Sequence, residues 1–165
     1  MSGWQRARRV VNYVNLSTPL GLLVARLGRA RVTKGPGGLL LAHGYRIPFP
    51  VAGAFTLGNV VLTRRSEDEG YLTGPLLRHE ARHATQYAFC LGVLMLPLYF
   101  AAVGVSVLIC GHHGSWNLFE WLADLDEGGY RRRSPWWVRR TVIPSRRRDR
   151  IVRSYEAYFP DTGDH

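Results

Sequence analysis

Apolar residues are arranged in different patterns along the chain. The first 34 residues mix apolar and polar positions and indicate a helical or irregular lead, in which Leu20–Leu27 forms a short helix. Between residues 36 and 64, glycine and proline separate short apolar runs, which is typical of short antiparallel strands joined by tight turns. These runs are Leu39–Ala42, Val51–Phe55 and Asn59–Thr63.

The pattern changes to helical after the charged loop that ends at Gly70. Pro75 suits the first turn of a helix, where its missing N–H costs nothing, and Pro97 predicts a break further along. We therefore predict an α+β fold in which short antiparallel strands are followed by three helices. The first predicted helix runs from a cap at Thr73 or Gly74 to Leu96, and the second from Leu98 to Cys110. The third runs from a cap at Ser115 or Asn117 to about Glu127.

The length of the chain and the distribution of its charge indicate where the domain ends and what kind of partner the remainder could contact. The 165 residues leave room for one domain, which we assign to residues 1–130. Arginines at 131–133 and 139–153 supply much of the net charge of +10, so residues 131–165 are interpreted as a basic C-terminal tail. Such a tail is either a solvated surface or a contact for an acidic partner. Because no nucleic-acid-binding motif accompanies the arginines, anionic lipid is favoured over nucleic acid.

The number of cysteines and the N-terminal sequence indicate the cellular compartment in which we expect the protein. Cys90 and Cys110 are the only cysteines, which excludes a disulfide framework or a four-cysteine cluster within one chain. Asn12 and Asn15 interrupt the apolar run that a signal peptide would need. We therefore expect a cytoplasmic protein, with association to a membrane as an option. Nothing in the sequence indicates an oligomeric state.

The run His79-Glu80-Ala81-Arg82-His83 carries the most chemical information. Residues four apart on a helix lie on one face, about 6 Å apart, so two imidazoles can bind one metal ion. Glu80 sits one step round the helix, where a carboxylate can take a proton from water activated by zinc. The sequence therefore predicts a zinc site with His79 and His83 as ligands and Glu80 as general base.

Two histidines need a third protein ligand, with the fourth position left to water. Residue types alone leave several candidates open downstream. These are His112, His113, Glu120, Asp124, Asp126 and Glu127.

The motif resembles that of the thermolysin-like gluzincins. In that family a glutamate on a later helix is the third ligand, and an aspartate four residues further on hydrogen-bonds the first histidine. The resemblance implies that Glu120 is the ligand and that Asp124 supports His79, on a third ligand-bearing helix. The gluzincin histidine that stabilises the transition state has no clear counterpart. The candidates for that role are His112, His113, Tyr87 and Tyr130.

The chain is also similar to a group of short bacterial HExxH proteins whose activity is not defined. The similarity spans roughly Asn15 to Tyr130 and implies the same metal site. It is carried by Asn15–Gly21, Thr56–Leu62, Leu76–Glu80 and the helix around Glu120.

A shared metal site constrains the uncharged stretch Ala88–Gly111, which is long enough to span a membrane. A straight crossing would separate His83 from Glu120 by about 30 Å. We therefore predict an apolar hairpin that turns at Pro97, with two arms of about 20 Å. We favour a buried core over a tip that dips into a membrane. The side chains expected to be buried are Leu91, Leu94, Leu98 and Val105.

The predicted function is zinc-dependent hydrolysis, with a peptide or protein as substrate. The segment Ala54–Leu62 is the candidate strand edge for aligning an extended peptide through backbone hydrogen bonds. The alternative is a non-enzymatic, basic membrane-surface or scaffold protein with a structural or vestigial metal site. Closure of the metal shell by His112 or His113 would favour that alternative.

Overall fold

Two helices form the start of the chain. The computed structural model describes residues 1–50, 52–72 and 74–140, so most of the basic tail lies outside the described residues. Helix α1 (Gly3–Val14) begins with a capping box, in which the Ser2 hydroxyl accepts from the Gln5 N–H and the Gln5 side chain accepts from the Ser2 N–H. Helix α2 (Ser17–Leu27) follows after a short turn. The helical lead predicted for this region is therefore present.

Four short strands form one mixed sheet. They are β1 (Arg31–Lys34), β2 (Leu40–His43), β3 (Ala54–Leu57) and β4 (Val60–Thr63), in the spatial order β1-β2-β4-β3. The α+β class is confirmed, but the sheet is not purely antiparallel, because β2 and β4 run parallel. Sequence reasoning missed β1 because this strand is largely exposed and has no apolar run.

The chain divides into two compact units, Met1–Pro97 and the residues from Leu98 onward. In the first unit, helix α3 (Gly74–Phe89) packs on the sheet. Ala84 of α3 is buried in one cluster with Leu39, Val61 and Leu72. This packing holds one face of α3 against the strands.

Helix α3 ends at Phe89, and the predicted continuation to Leu96 is wrong. The break lies at Leu91 and Gly92, which have φ of 55° and 75°. A side chain at Gly92 would lie 2.4 Å from the Asn15 carbonyl oxygen, so both the backbone conformation and the close approach require glycine. Pro97 lies instead in the first turn of helix α4 (Met95–Cys110), a position that tolerates proline.

The apolar stretch around α4 is not a buried core. Leu91, Leu94, Leu98 and Val105 are exposed by 71%, 52%, 50% and 51%, so their predicted burial is wrong. Among the described residues, Gly92–Cys110 is the one helical stretch that is long and apolar enough to cross a membrane, judged by length and composition, and 17% of it is buried.

The second unit contains most of α4 and two short helices. Helix α5 (Leu118–Leu122) is capped by the Asn117 side chain, which accepts from the Phe119 N–H, and helix α6 covers Trp136–Arg140. The predicted extension of α5 to Glu127 is wrong, because the helix ends at Leu122 and Asp124 has a positive φ of 70°.

A row of polar side chains on α1 is bonded to the backbone of α3. The row consists of Arg8 and Asn12 on α1 and Asn15, the residue that caps its C-terminal end. They lie on one side because they are four and three residues apart. Each of them donates a hydrogen bond to a carbonyl oxygen of α3. The pairs are Arg8 with Ala81 at 3.2 Å, Asn12 with Ala84 at 2.8 Å, and Asn15 with Tyr87 at 3.2 Å.

Asn59, in the turn between β3 and β4, extends this network to the sheet. Its side-chain oxygen accepts from Asn12, and its amide donates to the hydroxyl of Thr18 on α2 and to the Arg9 carbonyl. Asn12, Asn59 and Thr18 are fully buried. Two helices, the hairpin turn and α3 are thus joined by one buried polar network.

We expect Asn12→Ala to lower the free energy of unfolding by about 1–3 kcal/mol, because it leaves buried acceptors on Ala84 and Asn59 without their donor. Val14→Ala is the matched control on the same helix, since Val14 is 76% exposed, and its effect should stay within about 0.5 kcal/mol. Urea unfolding followed by circular dichroism measures both. Equal effects of the two substitutions would contradict a structural role for the network.

Candidate metal centre

Helix α3 brings His79 and His83 together as the sequence predicts. Both side chains are buried, and their rings meet at 87° with centroids 4.6 Å apart. The two Nε2 atoms are 3.0 Å apart. Two nitrogen ligands at zinc distance in a tetrahedral site would be about 3.3 Å apart, so only a small adjustment would bring both atoms to ligand positions.

Gln86 fixes the orientation of the second histidine. Its side-chain oxygen lies 2.8 Å from His83 Nδ1. When Nδ1 carries the proton and donates it to this oxygen, the lone pair of Nε2 is left to face the neighbouring ring. A hydrogen bond of this kind, on the nitrogen that does not bind metal, is how metal-ligating histidines are usually held.

Glu80 is buried beside the histidines and is held by the sheet. The hydroxyl of Thr56 on β3 donates to Glu80 Oε2 at 2.6 Å and lies 3.3 Å from the Glu80 carbonyl oxygen. The charge of the Glu80 carboxylate also acts on the hydroxyl of Tyr87. Burial raises the pKa of the Tyr87 hydroxyl, and the charge of Glu80 adds to the increase, so Tyr87 stays protonated.

Glu120 lies in the first turn of α5 and is 1% exposed. The hydroxyl of Tyr99 on α4 donates a hydrogen bond to Glu120 Oε1, and Tyr99 is also hydrogen-bonded with Tyr130. Burial raises the pKa of Tyr99 far above its ordinary value, and the charge of Glu120 adds to this effect. Tyr99 is therefore a neutral hydrogen-bond donor to Glu120.

His79, His83 and Glu120 form a buried group that is compatible with a metal site. Each offers one ligand atom, the three atoms lie within 4.8 Å of one another, and all three side chains are buried. Two imidazoles and one carboxylate are a donor set that binds divalent transition metals. Within the described part of the chain this group has three members.

The other predicted site residues have different surroundings. His112 Nδ1 accepts hydrogen bonds from the backbone N–H groups of Gly114 and Ser115, both at 3.2 Å, so this ring organises a turn. Burial lowers the pKa of His112, and the charges of His113 and Arg133 lower it further. His112 and His113 are outside the metal-compatible group, as are the other acidic candidates, among them Asp124.

Tyr130 contacts other aromatic side chains, and Asp124 lies beyond the end of α5. The Tyr130 ring contacts His113, with centroids 5.3 Å apart, and its hydroxyl is hydrogen-bonded with Tyr99. Asp124 follows the end of α5, so it does not share a helical face with Glu120. The role of Asp124 as a partner of His79 stays a prediction from the family resemblance.

Three residues at the site were not found by sequence reasoning. Gln86 could have been predicted from its spacing, because a side chain three residues after His83 on the same helix can reach the imidazole ring. Nothing in the sequence pointed to Thr56 or Tyr99, because their contacts with Glu80 and Glu120 join parts of the chain that are more than 20 residues apart.

Comparisons of the chain with protein-family models, with curated proteins and with solved structures find no match.

Gln86→Ala should weaken metal binding by about 10- to 100-fold, because it removes the group that orients His83. Titration with zinc in competition with a chromophoric chelator measures the affinity. Gln86→Glu is the control, since its carboxylate keeps an acceptor for Nδ1 and should bind metal at least as well. Unchanged affinity in Gln86→Ala would exclude an orienting role.

Proposed function

We propose that this protein is a zinc-dependent hydrolase that cleaves peptide bonds, with His79, His83 and Glu120 as metal ligands and Glu80 as general base. The observation that carries the proposal is the convergence of three buried ligand atoms within 4.8 Å of one another. The non-ligand Glu80, held by Thr56 at 2.6 Å, distinguishes this arrangement from a simple metal-storage site.

Zinc suits the site by donor chemistry. Two histidines and a glutamate, with a fourth position open, are the ligand set of catalytic zinc in gluzincin-type peptidases, which the motif resembles. A bound zinc ion would lower the pKa of a water molecule to about 7 and polarise a carbonyl group. Two histidines and a carboxylate also hold iron(II) in oxygenases, so the metal has to be identified by analysis.

Glu80 would move the proton in this reaction. Its carboxylate accepts a proton from the attacking water and returns it to the leaving amine nitrogen. The hydrogen bond from Thr56 occupies one carboxylate oxygen and limits rotation of the side chain. The other oxygen is then the one that exchanges the proton.

A peptide substrate fits the strand that carries Thr56. β3 is the last strand of the sheet in the order β1-β2-β4-β3, and an extended peptide can pair with such an edge through backbone hydrogen bonds. Because Thr56 links β3 directly to Glu80, a peptide paired with this edge would lie beside the general base. This relation favours a peptide over a small molecule.

The rival proposal is a structural metal site in a basic scaffold or membrane-surface protein. Structural zinc sites are normally closed by four protein ligands. His112 and His113 were the candidates for closure, and neither belongs to the group formed by His79, His83 and Glu120 among the described residues. Nδ1 of His112 accepts from the backbone N–H groups of Gly114 and Ser115 instead. The hydrolase proposal is therefore the better supported.

Purified protein should contain about one zinc ion per chain, and Glu120→Ala should remove most of it, because two histidines alone bind zinc weakly. Mass spectrometry of metals after dialysis measures the content, and circular dichroism checks the fold. His112→Ala is the control that should keep its zinc. If Glu120→Ala also keeps full zinc, Glu120 is not the third ligand, and iron in place of zinc would redirect the proposal to redox chemistry.

Glu80→Gln should keep its metal but reduce peptide cleavage by about 10²- to 10⁴-fold, because the amide cannot accept the proton. A fluorogenic peptide library provides the assay, and metal content is measured on the same sample. Glu67→Gln, at an exposed position, is the control that should cleave normally. Normal turnover in Glu80→Gln would refute the mechanism.

A further inference from the structure

Helix α4 has two faces of different character within the second unit. The inner face includes Ser106, which is fully buried, and Cys110, which is 5% exposed. The Ser106 hydroxyl donates to the His112 carbonyl at 2.5 Å and accepts from the Trp116 N–H at 2.8 Å. This face is therefore fixed to the rest of its own unit by buried hydrogen bonds.

The outer face of α4 is exposed and wholly apolar. Phe100 is 52% exposed, Val105 51% and Leu108 77%. A helix that faces water normally has charged or polar side chains on its outer side, and continuous exposed apolar surface marks an interaction site. The outer face consists of Leu98, Phe100, Ala101, Gly104, Val105, Val107 and Leu108.

We infer that the outer face of α4 is embedded in the surface of an anionic lipid bilayer, with the helix lying along the membrane. This inference goes beyond the proposed hydrolase and does not depend on the metal site.

The charge distribution along the sequence favours lipid over a second copy of the chain. No charged residue occurs between residues 83 and 119, so the whole region around the outer face can enter an apolar medium. Residues 131–153 contain ten arginines and a single acidic residue, Asp149. Anionic headgroups attract such a segment, whereas two chains of net charge +10 repel each other.

Exposed tryptophans lie in the same region of the sequence as the arginines. Trp136 and Trp137 are 50% and 48% exposed. Tryptophan is enriched at the boundary between headgroups and acyl chains because its ring is apolar and its N–H is polar. An apolar helix face combined with arginine and tryptophan is the pattern of proteins that lie in the membrane interface.

The two faces of α4 also distinguish lying in a membrane from crossing it. A single crossing helix is surrounded by lipid, but the inner face of α4 is occupied by protein groups bonded to Ser106. The helix therefore presents only its outer face to lipid.

Flotation of the purified full-length chain with lipid vesicles tests the inference. Wild-type protein should float with vesicles of phosphatidylglycerol and phosphatidylcholine, and much less with phosphatidylcholine alone, because the arginines need anionic headgroups. Leu108→Glu and Val105→Glu should each lower the bound fraction by about tenfold, because each puts a charge into the acyl region. Leu27→Glu is the matched control, since Leu27 is 65% exposed on α2, outside the outer face.

Several results would overturn the inference. Equal flotation of Leu108→Glu and wild type would show that α4 does not contact lipid, and equal binding to both vesicle types would remove the role of anionic headgroups. A wild-type dimer in the absence of vesicles that Leu108→Glu converts to monomer, together with no flotation, would assign the face to a second copy. Circular dichroism confirms that the variants fold, and because flotation requires no metal, its outcome is independent of the zinc proposal.

Discussion

The first unit depends on hydrogen bonds between the side chains of α1 and the backbone of α3. A carbonyl oxygen inside a helix already accepts one bond from the helix itself, and its second lone pair is normally left to water or unused. Arg8, Asn12 and Asn15 bond to carbonyls of α3 along one side of that helix. Because an unpaired buried polar group costs about 1–3 kcal/mol, rotation of α3 about its axis would lose several such bonds at once. The network therefore determines which face of α3 points to the sheet.

The chemistry of α3 follows from that fixed orientation. His79 and His83 share one face because they are four residues apart, and Glu80 projects toward β3, where Thr56 meets it. A general base is useful only when its position is defined within a fraction of an ångström. The buried network fixes the position of α3, and the hydroxyl of Thr56 fixes the carboxylate of Glu80. The same features that stabilise the fold thus orient the groups proposed to act on substrate.

The apolar pattern of helix α4 could not predict whether the helix is buried or exposed. An uncharged run of this length is equally compatible with a protein core and with a lipid-facing helix, since both environments exclude charge. We expected a core, but Leu98, Val105 and the rest of the outer face of α4 are exposed. Proline was also a misleading marker of the break, because Pro97 is tolerated in the first turn of α4, while the chain turns at Gly92, where Asn15 leaves no room for a side chain. The contact that decides the break involves residues 77 positions apart and leaves no local trace.

The sequence by itself determined the features that depend on short-range spacing. The i, i+4 histidines with Glu80 between them, the α+β class, three of the four strands and the start of α3 all follow from periodicity and from local turn and cap chemistry. Glu120 was singled out by family resemblance, and its ligand atom lies within 4.8 Å of those of His79 and His83. Only the tertiary structure decided the parallel pairing of β2 with β4, the early end of α5, the exposure of α4 and the roles of Thr56 and Tyr99. Each of these depends on contacts between residues far apart in the chain, and packing and hydrogen bonding across such separations have no periodic signature in sequence.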